Sequence, residues 1–223
     1  MNVLTPQTPE AWNAYVRSFA GWDIYYLCEY AVSLELHGDG EPLLLCFEHG
    51  AERMCYVVMR NDIADDPRFH GLLPAGRLFD LETPYGYGGP LTDAPLSPEA
   101  QQIFMEELRA YCLEQRIVTQ FLRYHPLLDN HGAVSPMTDT RYLRDTIYMD
   151  TASPELILAN MDSKNRNMVR KAQRSGVTVR EAPMSEYAPF LELYRQTMDK
   201  HSAEDYYTFG TSYFDYLGEQ LSD

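Results

Sequence analysis

Long apolar runs are missing from this 223-residue chain. No stretch approaches the roughly 18 apolar residues that a membrane-spanning helix needs. The opening residues, MNVLTPQTPEAW, have no basic cluster followed by an apolar run, so a secretory leader is not expected. Cysteine is sparse. Cys28, Cys46, Cys55 and Cys112 form no C-x-x-C pair, which argues against a disulfide framework and fits free thiols in a reducing cytoplasm. His37, His49, His70, His125, His131 and His201 are scattered without metal-ligand spacing, so zinc is not expected either. Positive charge is also scarce: 18 Lys and Arg stand against 33 Asp and Glu, a formal charge of −15. So acidic a molecule does not coat nucleic acid or an anionic surface broadly, although a local anion site is still allowed.

What is present is ordinary for a globular protein, with 45% hydrophobic and 23% charged residues and an aromatic share raised by 17 Tyr. That balance argues against disorder and low complexity. The length suits one large domain or two small ones. Apolar spacing and breakers alternate strands with helices. Helices are expected from Pro9 to about Phe19, over 23–36, over Pro98–Arg116, from Pro154, over 163–175, over Ser185–Lys200 and over Tyr206–Gln220. Strands are expected at Pro42–Glu48, Met54–Arg60, Arg77–Leu81, Ile117–Tyr124, Asp145–Asp150 and Val177–Arg180. The class is therefore α/β or α+β with a mixed sheet. The division falls near residue 145, giving regions 1–145 and 146–223.

Residues 162–180, DSKNRNMVRKAQRSGVTVR, are the chain's positive island. They hold Lys164, Arg166, Arg170, Lys171, Arg174 and Arg180 against the single acid Asp162, a charge of +5 that leaves the remainder at −20. On the helix capped by Asp162 and stopped by Gly176, Arg166, Arg170 and Arg174 share a face. Lys164 and Lys171 project close together, and Met168, Val169 and Ala172 are free to pack inward. Guanidinium forks at this spacing suit phosphate or carboxylate oxygens. The plain alternative is a solvated basic face paired with the protein's surplus acids.

A second constellation is Thr83–Leu91, TPYGYGGPL. Its glycines allow positive φ and close backbone approach to a ligand, and Tyr85 and Tyr87 offer stacking faces and hydroxyls. It matches neither a dinucleotide fingerprint nor a P-loop, and a structural crossover reads it equally well. Asp93 follows as a possible base or amine anchor, or simply a turn former. Gln173–Gly176 is like the start of a pyrophosphate-cradling turn of acetyl-CoA enzymes, but Val177 and Thr178 stand where a second small residue is needed. His125, before Pro126, reads as a strand-end cap or a base. The aromatic run Tyr206, Tyr207, Phe209, Tyr213, Phe214 and Tyr216 is most simply core packing.

The order of these pieces resembles the FemA/FemB-type aminoacyltransferases, which build peptidoglycan cross-bridges and belong to the wider GNAT-like acyltransferase fold. The resemblance is carried by Tyr87-Gly-Gly-Pro-Leu-x-Asp93, by His125-Pro-Leu, by Asn160-Met-Asp162 and by the basic helix ending in Ser175-Gly-Val-Thr-Val-Arg180. It continues through Phe190-Leu-Glu-Leu-Tyr194 to Tyr206-Tyr207. It implies a complete first GNAT-like domain over 1–145 and the front part of a second over 146–223, with more strands expected past residue 220. It also implies transfer of an amino acid from aminoacyl-tRNA to an amine on a muropeptide or lipid-linked precursor, with no cofactor, metal or covalent intermediate. Under it Lys164, Arg166, Arg170 and Lys171 hold the precursor's phosphates from within a cleft. Asp93 sits near the acceptor amine, and Tyr85 and Tyr87 line the substrate. The expected location is the cytoplasm, or the inner face of the membrane as a peripheral protein. An acyl-CoA-dependent N-acyltransferase and a non-catalytic anion-binding scaffold are the two rival readings.

Overall fold

The structure, a computed structural model, describes residues 1–135 and 138–221. Its frame is the hairpin of β2 (Glu41–His49) and β3 (Glu52–Asp62), closed by the two-residue turn at Gly50 and Ala51. Gly50 takes φ of +61° there, the left-handed geometry that a tight hairpin turn selects. The central stretches of both strands, Pro42–Phe47 and Met54–Met59, are apolar and buried throughout because both of their faces are covered. Leu43, Leu45, Phe47, Met54, Tyr56 and Val58 point to one side, and Leu44, Cys46, Cys55, Val57 and Met59 to the other.

The sheet runs β1-β2-β3-β4-β6, with β1 at Asn2–Leu4, β4 at Phe79–Glu82 and β6 at Ile117–Phe121. Pairing is antiparallel except between β4 and β6, which are parallel. The expected mixed sheet is thus present. On one face lie α1 (Pro9–Arg17) and α2 (Cys28–His37), whose Trp12, Val16 and Leu34 are fully buried. On the other lies α3 (Pro98–Glu114), which inserts Phe104 against Phe47 and Tyr56. Ser97 caps α3 by accepting from the Ala100 N–H, with Pro98 in the first turn, as its sequence implies.

The helix expected over 23–36 begins later. The Asp23 carboxylate accepts the Tyr25 N–H and bends 24–26 into a 3₁₀ turn, so the helix starts at Cys28. Beyond β6 the chain forms α4 (Pro154–Asn160), α5 (Ser163–Arg174), α6 (Ala188–Lys200) and α7 (Thr211–Gln220). Phe209 enters the α1/α2 core, and Tyr213, Phe214 and Leu217 of α7 pack against it. The aromatic run is therefore core packing at Phe209, Tyr213 and Phe214, whereas Tyr206 and Tyr207 are exposed and sit in a 3₁₀ turn ahead of α7, which begins at Thr211 rather than at Tyr206. Two expected strands do not form. Residues 145–150 and 177–180 have no ladder partner, and both stretches are exposed.

Candidate functional site

The Tyr/Gly loop is shaped by a length mismatch at one edge of the sheet. β3 is long enough to carry two neighbours there: β4 pairs with Met59–Asp62, and β5 (Leu91–Thr92) pairs with Met54 and Cys55. The chain between them leaves the edge and returns to it. That excursion is Thr83–Pro90. It is pinned to the strand end beyond β6 by three backbone bonds, from Thr83 N to Phe121 O, from Gly88 N to Arg123 O and from His125 N to Gly88 O. Tyr30 adds a hydroxyl bond of 2.8 Å to the Tyr85 carbonyl, and the Asn130 amide donates to the Gly88 carbonyl at 2.8 Å.

The glycines of this loop serve the protein's own rings. Gly86 has φ of +106°, and a Cβ there would sit 2.5 Å from the Tyr25 ring. Gly89 has φ of +85°, and its Cβ would meet Tyr124 at 2.8 Å. Close approach is thus required, as the sequence suggests, but the approaching groups are tyrosines of the fold.

Around the loop the structure gathers aromatic and acidic side chains from distant parts of the chain. Tyr87 meets Tyr25 and His125 edge-on, with centroids 5.9 and 6.0 Å apart. Tyr85, 38% exposed, packs against Tyr206, Tyr207 and Phe209. His125 has both ring nitrogens engaged: Nε2 lies 2.8 Å from Asp23 Oδ2, and Nδ1 accepts the Leu127 N–H at 3.2 Å. An N–H aimed at Nδ1 fixes the lone pair there, so Nε2 carries the proton and donates it to Asp23. His125 has no free nitrogen for proton abstraction. It orients the loop. Asp23 is a member that sequence reading misses, since no local pattern links it to a histidine 102 positions away.

Next to Tyr85 lies an acidic ridge of Asp39, Asp80 and Glu82. Burial comes first in pushing each carboxyl above its ordinary range, and neighbouring carboxylates add to the effect at Asp80 and Glu82. The Tyr206 hydroxyl donates to Asp39 at 3.0 Å, and the Asn61 amide donates to Glu82 at 3.2 Å. The thiols offer no nucleophile. Burial pushes those of Cys28 and Cys46 up to about 12 and that of Cys55 well above its usual value.

Asp93 lies just past β5, and its Oδ2 accepts from the Arg53 guanidinium at 2.5 Å. Arg53 also donates to the Ser18 hydroxyl and carbonyl and sits 4.3 Å above the Phe19 ring. Asp93 therefore joins a knot between α1 and β3.

The basic helix forms as its caps dictate. Asp162 accepts the Asn165 N–H at 2.7 Å, and Gly176 follows the helix with φ of +75°. The bonds from Gly176 N to Gln173 O and from Val177 N to Ala172 O close a Schellman-type end. Those amides are spent on helix carbonyls, so the Gln173–Gly176 turn has none left to cradle a pyrophosphate. Arg166 folds back so that its Nη1 bonds the carbonyls of Leu158, Ala159 and Met161, tying α5 to the end of α4. Arg174 donates to the Arg170 carbonyl, and Arg180 pairs with Glu186. Among the described residues no carboxylate pairs with Lys164, Arg166, Arg170, Lys171 or Arg174. Their setting differs from the expected cleft. Lys164, Arg170, Lys171 and Arg174 stand on an exposed helix face, and neither the hollow of about 540 Å³ between α1, α2 and α7 nor the apolar groove of about 380 Å³ beside α6 and α7 includes an α5 residue. Met168 is exposed as well, while Val169 and Ala172 are half-buried.

Compared with protein-family models, residues 129–219 match the FemAB family. The match takes in α4 to α7 with every cation of the island, and leaves out Tyr85, Tyr87, Asp93 and His125. Neither a curated protein nor a solved structure matches the chain.

Proposed function

We propose, on the premise that residues 129–219 are a FemAB-family segment, that this chain takes part in aminoacyl transfer to a phosphate-bearing precursor of the cell envelope. Members of that family are aminoacyltransferases with peptidoglycan-related roles. The donor in this reading is an aminoacyl-tRNA and the acceptor an amine of a muropeptide or lipid-linked precursor. The observation that carries it is the set of α5 cations left without carboxylate partners inside a −15 molecule. Lys164, Arg170 and Lys171, with Arg174, grip the precursor's phosphates, and Arg166 holds the helix in place.

The chemistry is aminolysis of an ester. A neutral amine forms a C–N bond to the aminoacyl carbonyl carbon, the bond to the tRNA ribose oxygen breaks, and that oxygen takes up the proton the amine loses. Phosphate binding holds the acceptor in the site equally in the ground and transition states, which lowers its KM. In this reading the 1–145 region presents Tyr85 and Tyr87 to the substrate, and Asp93 positions the acceptor amine by accepting its N–H at Oδ1 while Arg53 holds Oδ2. The 146–223 region brings the phosphate clamp. A GNAT-like arrangement of the two belongs to the same proposal.

The test is transfer of a radiolabelled amino acid from a mixed aminoacyl-tRNA pool to a nucleotide-linked muropeptide. Lys164→Gln/Lys171→Gln is expected to raise KM for the acceptor by about tenfold or more with kcat little changed, the pattern of lost uniform binding. Asp93→Asn is expected to lower kcat, with Arg53→Ala as the control for its structural knot. Wild-type protein that transfers nothing, or the Lys variant with unaltered KM, sinks the reading.

A further inference from the structure

We infer that the hollow between α1, α2 and α7 is a binding site for a short peptide with free termini, its ammonium held by Glu10 and Glu29 and its carboxylate by Arg17. The hollow measures about 540 Å³, a size suited to a small ligand, and includes no residue of the Tyr/Gly loop or of α5. It is built on one buried amide. Asn13, 8% exposed, accepts the Cys28 N–H through Oδ1 at 3.0 Å, and its Nδ2 donates to both Glu29 oxygens at 2.7 and 2.8 Å. Leu27 gives α2 no side-chain cap, so Asn13 caps that helix from α1 and fixes the Glu29 carboxylate at the same time. Each Glu29 oxygen keeps a lone pair for a further donor.

Helix spacing then sets out the charges. Glu10, Asn13 and Arg17 stand at i, i+3 and i+7 of α1 and line one wall, with Glu29 anchored between the other two charges. Among the described residues none of the three charged side chains has an ion-pair partner. The Arg17 guanidinium rests instead on the Trp22 ring, 5.5 Å from its centroid. Seven residues of helix separate Glu10 from Arg17 by about 10 Å. That is the length of about three extended residues, more than a single amino acid spans. A diamine would set its second ammonium against Arg17, and a dicarboxylate would set one end against two carboxylates. Between the poles, Pro9, Ala14 and Val32 offer apolar surface, and Tyr216 and Gln220 of α7 offer polar groups to a peptide bond. Burial comes first in pushing the Tyr216 hydroxyl above its ordinary value, so it stays protonated and able to donate. Glu10 in the first turn and Arg17 in the last also suit the α1 dipole, a purely structural role that the test must separate from binding.

The experiment is isothermal titration calorimetry of the full chain with trialanine at neutral pH, beside N-acetyl-trialanine, trialanine amide, putrescine and succinate. Trialanine is expected to bind, and blocking either terminus should weaken it about tenfold or more, the loss of one charge-assisted contact. Glu10→Gln and Arg17→Gln should each weaken trialanine by a similar factor, and the Arg17 variant should no longer distinguish trialanine from its amide. A residue serving only the helix dipole would shift the melting temperature and leave that distinction intact. Circular dichroism of each variant checks that α1 still folds. Three results overturn the inference: no binding of trialanine at millimolar concentration, blocked peptides that bind as tightly as the free one, or an Arg17→Gln protein that still prefers the free carboxylate. Putrescine or succinate binding more tightly than trialanine assigns the hollow to a different ligand and overturns it too. The inference does not rest on the catalytic reading, because none of these measurements involves a transfer substrate.

Discussion

Gly89 and Gly50 both have positive φ, at +85° and +61°, yet they should respond differently to alanine. A Cβ at Gly50 meets nothing within 4 Å, so Gly50→Ala incurs only the conformational cost of about 1 kcal/mol. At Gly89 the same Cβ collides with Tyr124 and approaches the Asn130 amide. Gly89→Ala should therefore cost about 2–4 kcal/mol in urea unfolding, combining backbone strain with overpacking. Equal losses at the two sites would mean that the loop yields freely. The acidic ridge makes a prediction of opposite sign. The carboxyls of Asp80 and Glu82 lie above their ordinary range in the folded protein, so folding favours their protonated forms. The stability they contribute is full below the unfolded carboxylate range and is lost as pH rises through the folded values. Asp80→Asn/Glu82→Gln is thus expected to melt higher than wild type near pH 7.5, with the gain vanishing near pH 4, as thermal scans across that range would show. A variant that melts lower at neutral pH contradicts the assignment.

Helices α4 and α5 show how much of an element's fate is local. Their caps are written in the sequence: Ser153-Pro154 and Asp162 each supply a side-chain oxygen to the N–H three residues on, and Gly176 follows α5 with positive φ. Neither helix buries a residue fully, so caps and Arg166 carry more than their usual share. Arg166→Ala removes the bonds to the α4 carbonyls of Leu158 and Ala159 and to that of Met161 just past it, and hydrogen exchange of the α4 amides should accelerate by about tenfold, with α3 amides unaffected. Unchanged exchange in α4 would show that its end is held by something else. The same reasoning explains where sequence reading fails. β2 and β3 are legible because their two-sided apolar pattern is self-sufficient and a tight turn fixes their register. Residues 145–150 and 177–180 have equal strand character by composition, but a strand is made by its ladder partner, and neither segment has one. The Asp23–His125 pair and the meeting of Tyr85 with Tyr206 are invisible for a related reason: they join positions more than 100 residues apart, and only the folded chain brings them together.

The whole molecule is joined at Phe209. Both tryptophans, Trp12 and Trp22, lie in the sheet-forming half, and Trp12 is fully buried there. Phe209 comes from the other half yet is buried in the same core, with its ring stacked on His37 at 4.2 Å. His37 also bonds the Tyr206 carbonyl at 2.8 Å, and Tyr206 donates to Asp39. The division that the sequence suggests near residue 145 is therefore bridged by an aromatic strap. Truncating a buried Phe to Ala typically costs 3–5 kcal/mol. Phe209→Ala should cost about 3 kcal/mol, near the low end, because Tyr213 and Tyr206 are positioned to fill part of the space. The informative readout is coincidence rather than magnitude. Tryptophan fluorescence reports the sheet half alone, whereas far-ultraviolet circular dichroism counts α4 to α7 as well. In wild-type protein the two urea transitions should superimpose, because the shared core makes unfolding of one half expose the other. In Phe209→Ala the dichroism transition should begin at lower urea than the fluorescence transition. If the two curves stay superimposed in the variant, the α2–α7 contacts couple the halves without Phe209, and the strap is a bystander.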